Sequence, residues 1–325
     1  MLSLCHDERK AYAEQLLALK PDAIPRFLIY RNLLGLPAET DLYQELYTAV
    51  AEHPHIKTIA EAQNPRGFWE PFHGTTEAMI RRMLYYGLDR THPTLAAAES
   101  YLVRLLEGNE TTGQYERQDH PLWYSEMFEP LAAAAMLSLL QPHHSLVELH
   151  RNRWVSFAEE LFAGGDYCET NDRDVKAAFF GYTVKRPIPP FHYYCLLLTS
   201  PVDGELYLSE TTDRALVDYC MTQMSALGYV YNEPPGIPIP IDTHRRDSRD
   251  FWQWIRALSI IAPYRWFDTY AQQIRSFLLS QRGEDGLWTF PRKFDFVLSD
   301  RYAGKHKTVD SSLFVLRFLC GLRGY

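Results

Sequence analysis

The sequence predicts an all-α protein, an (α/α)6 toroid of helical hairpins occupying residues 1–325 as one domain. Three observations predict it. The segment Gln63-Asn64-Pro65-Arg66-Gly67-Phe68-Trp69 recurs near the other end as Gln281-Arg282-Gly283-Glu284-Asp285-Gly286-Leu287-Trp288, one residue longer between Gln and Gly. Weaker copies stand between them at Gly113-Gln114-Tyr115, Gly165-Asp166-Tyr167 and Gly228-Tyr229-Val230-Tyr231. The junction glycines, at 67, 113, 165, 228 and 286, are spaced for two helices and their loops, and repeats of that size stack into solenoids or rings. Finally, no alternation of period two runs beyond four residues, so helices are favoured throughout.

The helices follow in order. Residues 24–34 carry apolar positions 24, 27, 28 and 34 and stop at Gly35-Leu36-Pro37. Residues 41–50 and 56–63 form a broken helix into the first junction. His53-Pro54-His55-Ile56 and His92-Pro93-Thr94-Leu95 are two versions of one helix start, with Pro in the first turn, where its missing N–H costs nothing; Pro142-His143 is a looser third. Residues 75–86 end at Gly87 and 94–106 at Gly108, glycines suited to a helix C-terminus. Then come 123–140, 146–162, 191–199, 212–227, 249–261, 264–280 and 308–322.

Two helix types alternate. Those after a junction are small and apolar, as in Leu131-Ala132-Ala133-Ala134-Ala135-Met136-Leu137 and Leu313-Phe314-Val315-Leu316. Those before a junction carry a charged stripe, as in Glu148, Arg151, Arg153, Glu159 and Glu160 around Trp154, Val155, Phe157 and Leu161. A helix apolar all round is buried and a striped one faces water, which predicts an inner ring of six helices (24–34, 75–86, 123–140, 191–199, 249–261, 308–322) inside an outer ring. The ring closes if 308–322 packs on 24–34. Residues 164–190, 229–248 and 289–307 are left as long loops before inner helices, and long loops are often functional.

Net charge is −8, with 46% apolar residues and no long basic run, which argues against nucleic acid and anionic membranes as partners. The longest apolar run, 131–140, is too short to cross a bilayer. Five cysteines, at 5, 168, 195, 220 and 320, form no CxxC pair, and no signal-peptide pattern opens the chain; both predict a reducing, cytoplasmic setting.

Through Gln63-x-x-x-Gly67-x-Trp69 and Gly286-x-Trp288 the chain resembles the terpenoid cyclase and protein prenyltransferase superfamily, whose α/α toroids carry such QW repeats. More narrowly, it is similar to short bacterial squalene-cyclase-like or prenyltransferase-like proteins made of a single toroid. The resemblance implies an aromatic-walled central cavity for a hydrophobic isoprenoid substrate. Class II cyclases of that superfamily protonate the substrate through the central Asp of a DXDD motif. The nearest matches here are Asp247-Ser248-Arg249-Asp250 and Asp172-Arg173-Asp174-Val175, each one Asp short. For zinc-dependent prenyltransferases, Asp166-Tyr167-Cys168 mimics the D-x-C pattern outside the expected late repeat, and Asp310 stands where the zinc-binding His would be. No aspartate-rich magnesium motif is present, so neither metal nor cofactor is expected.

The candidate catalytic acids are therefore Asp247, Asp250 and Asp310, all placed at starts of inner helices, where carboxylates equally cap free N–H groups. Arg245, Arg246 and Arg249 would lower the Asp247 and Asp250 pKa values and suit an anion such as a diphosphate. Trp69, His73, Tyr115, Trp123, Tyr124, His192, Tyr193 and Trp252 are the candidate substrate-binding residues, grouped at the inner-helix mouths. Three functions stay open. The first is cyclase-type acid catalysis, in which aromatic faces stabilise a carbocation. The second is a carbohydrate-active hydrolase or lyase using Glu126 or Glu129 with Asp250, and the third is a non-catalytic binding toroid.

Overall fold

The computed structural model describes residues 4–70, 75–110, 127–181, 192–199, 207–222, 249–294 and 296–322; for Phe180, His192, Arg249, Asp250 and Gln253 it describes the backbone alone. Fourteen α-helices and no strand are found among these residues. They are α1 (His6–Ala18), α2 (Ala23–Leu28, continued by a π-helical turn Ile29–Leu33), α3 (Asp41–Ala51), α4 (Pro54–Glu61), α5 (Glu77–Tyr85), α6 (Pro93–Leu106) and α7 (Glu129–Leu140). After them come α8 (Ser145–Leu161), α9 (Glu169–Phe180), α10 (His192–Leu198), α11 (Glu210–Thr222), α12 (Arg249–Ile261), a 3-10 turn Arg265–Phe267, α13 (Asp268–Ser280) and α14 (Gly304–Leu319). No described helix is long and apolar enough to cross a membrane.

The two junctions with tryptophan are built alike. The Trp69 indole N–H donates to the Ile59 carbonyl at 2.8 Å, and the Trp288 indole to the Leu278 carbonyl at 2.8 Å, each ten residues upstream. The Trp69 backbone N–H and C=O both bond one hydroxyl, that of Thr76, at 3.0 and 2.7 Å. Ser312 grips Trp288 the same way at 3.0 and 3.1 Å. Upstream, Asn64 N–H donates to Phe68 C=O and Gly67 N–H to Asn64 C=O, while Gly283 N–H donates to Leu287 C=O and Gly286 N–H to Gly283 C=O. The copies thus align residue for residue, which corrects the sequence reading: the position of Gln63 is filled by Arg282, not Gln281. Gln63 bonds the carbonyls of Gly67 and Thr94, whereas Arg282 reaches Leu279 C=O and the Tyr12 hydroxyl.

Helix type and burial agree. Leu131 to Ser138 of α7 and Val309 to Leu319 of α14 are buried without a break. Neighbour contacts join α5 to α7, α7 to α10, α10 to α12, α12 to α14 and α14 to α2; α6 packs on α5 and α7, and α8 on α7 and α10. Gly87, at the end of α5 with φ 98°, lies where a Cβ would come 2.7 Å from the Phe27 ring of α2. Its carbonyl accepts from Arg31 at 2.6 Å.

Three sequence expectations change. Helix α1 was not expected. Residues 164–190 are not all loop, because 169–180 form α9. Arg151 is not on a wet stripe: it is 1% exposed, donates to the Pro142 and Leu197 carbonyls, and covers the Tyr207 ring. A guanidinium in the interior is tolerated when carbonyls and an aromatic face receive it.

Histidines start three of the helices. His53, His92 and His144 are the N-caps of α4, α6 and α8, and each Nδ1 accepts the backbone N–H two residues on, at 3.2, 3.3 and 3.2 Å. Pro54 and Pro93 follow as the first helical residues, as predicted; in the third copy the cap is His144 followed by Ser145, rather than a Pro142-His143 start.

Two predictions follow from these geometries. Gly67 has φ 99° and a Cβ there would stand 2.4 Å from the Ala97 carbonyl oxygen, whereas Gly286, φ 76°, has open space. Gly67→Ala should cost about 3 kcal/mol and Gly286→Ala about 1 kcal/mol in urea denaturation. Burial holds the His92 pKa below its ordinary value, so its neutral capping form contributes stability that is complete above about pH 6.5 and lost as pH falls below it. His92→Asn, which caps without titrating, should match the parent chain at pH 7.5 and lose less stability at pH 5.

Candidate functional site

Among the candidate acids, Asp310 is the one whose side chain is described. It lies at the seventh position of α14, not at the helix start, because α14 begins at Gly304 rather than Thr308. It therefore does not cap its own helix, as the sequence suggested. Its Oδ1 accepts the Ser299 hydroxyl at 2.6 Å and its Oδ2 the Ser299 N–H at 3.3 Å, fastening the loop before α14. Asp310 is fully buried. Burial pushes its pKa up to about 6, hydrogen bonds from Ser299 and the Leu298 N–H oppose the rise, and the nearby Asp22 carboxylate adds to it. The carboxyl thus stays partly protonated near neutrality, the condition that acid catalysis sets.

Around it stand tyrosines and guanidinium groups. Tyr85, Tyr86 and Tyr302 all feel the Asp310 charge. The Tyr86 hydroxyl donates to Val297 C=O at 3.0 Å and that of Tyr302 to Phe290 C=O at 2.6 Å. The Tyr85 hydroxyl is buried without a hydrogen-bond partner among the described residues, and burial raises its pKa. Arg317 lies 4.2 Å over the Tyr85 ring and donates to the Tyr85 carbonyl. Arg82 and Arg256 lie 5.1 and 5.2 Å from the Phe296 ring centre, and Phe296 packs on Tyr85 at 5.8 Å. Arginines on three helices, α5, α12 and α14, thus meet one patch of rings. The sequence carries a signal for two of them: Arg256 follows Trp254-Ile255 and Arg317 follows Leu313 to Leu316, each a lone charge in an apolar stretch, whereas Arg82 is one of the pair Arg81-Arg82.

The other expected residues divide. Trp252 is buried on α12 with Arg256 5.5 Å from its ring, so it belongs to the same patch. Tyr193 is buried on α10, edge-on to Phe128 at 5.7 Å. Trp69 stands at a junction, where its indole N–H and both backbone polar groups are engaged in holding α4 to α5. Asp250 and His192 lie at the first turns of α12 and α10, backbone alone described. Asp247, His73, Tyr115, Trp123, Tyr124 and Glu126 lie outside the described residues.

The second acidic motif lies within α9. Asp172 and Lys176, 0% and 1% exposed, form an ion pair within α9, and the Tyr167 hydroxyl donates to Asp172 at 3.2 Å. Burial lowers the Lys176 pKa to about 8, with Asp172 opposing the shift. Asp174 is exposed, as is Cys168 at the start of α9.

The Asp310 pKa, raised from 3.8 to about 6, fixes a sign. The neutral acid's contribution is complete below pH 3.8 and is lost as pH rises through 6. The stability of the parent chain relative to Asp310→Asn should fall by about 3 kcal/mol between pH 3.8 and 7. Paired denaturation curves across that range check it, and a flat difference would mean Asp310 titrates normally.

No protein-family model, curated protein or solved structure matches the chain.

Proposed function

We propose that the chain is a single (α/α)6 toroid of the terpenoid-cyclase and protein-prenyltransferase kind, and that it handles an isoprenoid by acid catalysis at its centre. The contacts of α14 with α2, and of α2 with the end of α5 at Gly87, support closure of the inner helices. The matched Trp69 and Trp288 junctions support a repeat. The observation that carries the function is Asp310, a buried carboxyl with a pKa near 6 among Tyr85, Tyr86 and Tyr302. In this reading Asp310 gives its proton to the substrate, and Asp247 and Asp250 serve on the neighbouring helix α12 and the segment before it.

The arginines refine the substrate. An aromatic face stabilises a carbocation when no other cation occupies it. Here guanidinium groups stand over Tyr85, Trp252 and Phe296. That favours a substrate with an anionic end, a diphosphate, near the arginines, with its hydrocarbon chain elsewhere among the aromatic residues.

Incubation with geranyl, farnesyl and geranylgeranyl diphosphates and with squalene, followed by mass spectrometry, tests both parts. The expected result is conversion of a diphosphate, reduced at least 100-fold in Asp310→Asn. Turnover unchanged in that variant removes Asp310 as the acid. Conversion of squalene alone removes the anionic end, and no conversion of any compound removes the isoprenoid reading.

A further inference from the structure

We propose that His53, His55 and Asp300 form a binding site for a divalent transition-metal ion of the zinc type, joining the start of α4 to the loop before α14. Their ligand atoms all lie within 4.8 Å of one another, and among the described residues this is the one such group of three or more. His53 Nε2 stands 2.9 Å from Asp300 Oδ1, and the two imidazole rings are 4.8 Å apart, edge to face. Ligand atoms around a tetrahedral zinc stand roughly 3.3 Å apart, so closing on an ion needs side-chain rotation rather than backbone movement. Asp300 is free to make that rotation: its side chain is 64% exposed, while its backbone N–H is held by Asp22 at 3.1 Å. Two imidazoles and one carboxylate suit zinc or another late first-row ion and disfavour magnesium and calcium, which take oxygen ligands. Three protein ligands on a partly exposed site leave a fourth position for water.

The histidine caps supply an internal comparison. His92 and His144 cap α6 and α8 through Nδ1 as His53 caps α4, yet the residue two places on is Thr94 or Leu146, not a second histidine. Capping therefore accounts for His53 alone. His55, and the loop that brings Asp300 to the same helix start, are additions peculiar to the first copy. Binding has a cost, because His53 Nδ1 accepts the His55 N–H. An imidazole that coordinates through Nε2 carries its proton on Nδ1, so that capping bond is surrendered, which weakens affinity by about tenfold. The positive end of α4 also opposes a cation. Two carboxylates offset it, Asp300 directly and Asp22 behind it, the latter 3.4 Å from His306 Nδ1 at the start of α14. An ion here would bind residues far apart in sequence, so binding should stabilise the fold.

The test uses the full chain after chelator treatment and dialysis, titrated with zinc in a calorimeter and with cobalt in a visible spectrophotometer. Expected are one saturable ion per chain, a tetrahedral cobalt band, and a melting temperature raised by zinc. His55→Ala and Asp300→Asn should each weaken binding at least tenfold, and His55→Ala should leave the metal-free melting temperature unchanged because the His53 cap persists. His92→Ala should bind zinc like the parent chain. Absence of saturable binding overturns the proposal, and so does equal affinity in the His55→Ala/Asp300→Asn double variant, which would place the ion elsewhere. None of these readouts depends on isoprenoid chemistry.

Discussion

The fold depends on one clamp, made twice. Where α4 gives way to α5, and α13 to the segment before α14, the chain turns inside the core, and the peptide groups of that turn lose water. Buried N–H and C=O groups left unpaired are costly. At each junction a single hydroxyl satisfies both polar groups of the tryptophan backbone, while the indole N–H takes a carbonyl from the helix just ended. Ring, backbone and two helices are thereby fixed relative to one another. Trp69 and Trp288 are among the largest fully buried side chains, so the clamp also supplies a large share of local apolar burial.

The clamp explains how the loop before α14 can vary. In the first copy the hydroxyl, Thr76, follows Trp69 by seven residues; in the second, Ser312 follows Trp288 by 24. The extra residues leave the junction and return, and the hydroxyl arrives at the same place. What leaves is free to make other contacts. Phe290 and Phe294 pack on Phe314 of α14, Phe296 carries two guanidinium groups, Ser299 holds Asp310, and Asp300 reaches His53. The longer loop, anchored at both ends by the same geometry as the shorter one, thus reaches both the candidate acid and the candidate metal ligands.

This division also governs what could be read from the sequence. Glycine and tryptophan at fixed spacing, His-Pro helix starts and wholly apolar helices are local signals, and they located the two tryptophan junctions and most of the described helices. Ser312 was not legible as the partner of Trp288, because its distance along the chain differs from that of Thr76. The helix α9 was missed since Glu169 to Phe180 carries polar residues on most faces and follows two glycines. Arg151 looked like part of a wet stripe because its charge was visible and the Pro142 and Leu197 carbonyls that receive it were not. Asp310 was picked out as an acid, but its depth and its bonds to Ser299 come from a loop that local pattern cannot place.

Buried charge gives the last step. Arg151 meets two carbonyls and a ring, Lys176 meets Asp172, and Arg317 meets the Tyr85 carbonyl and ring. Each of these cations is matched by negative charge or by carbonyl dipoles, so removing its proton would forfeit what holds it. Asp310 differs, because its hydrogen bonds come from neutral donors, the Ser299 hydroxyl and the N–H groups of Ser299 and Leu298. Neutral donors soften the cost of the anion without cancelling it. The carboxyl is left with a pKa of about 6, so a minor protonated fraction persists at neutral pH. Such a pKa is useful to a group that transfers a proton, which is why Asp310, rather than the buried and paired Asp172, carries the functional reading.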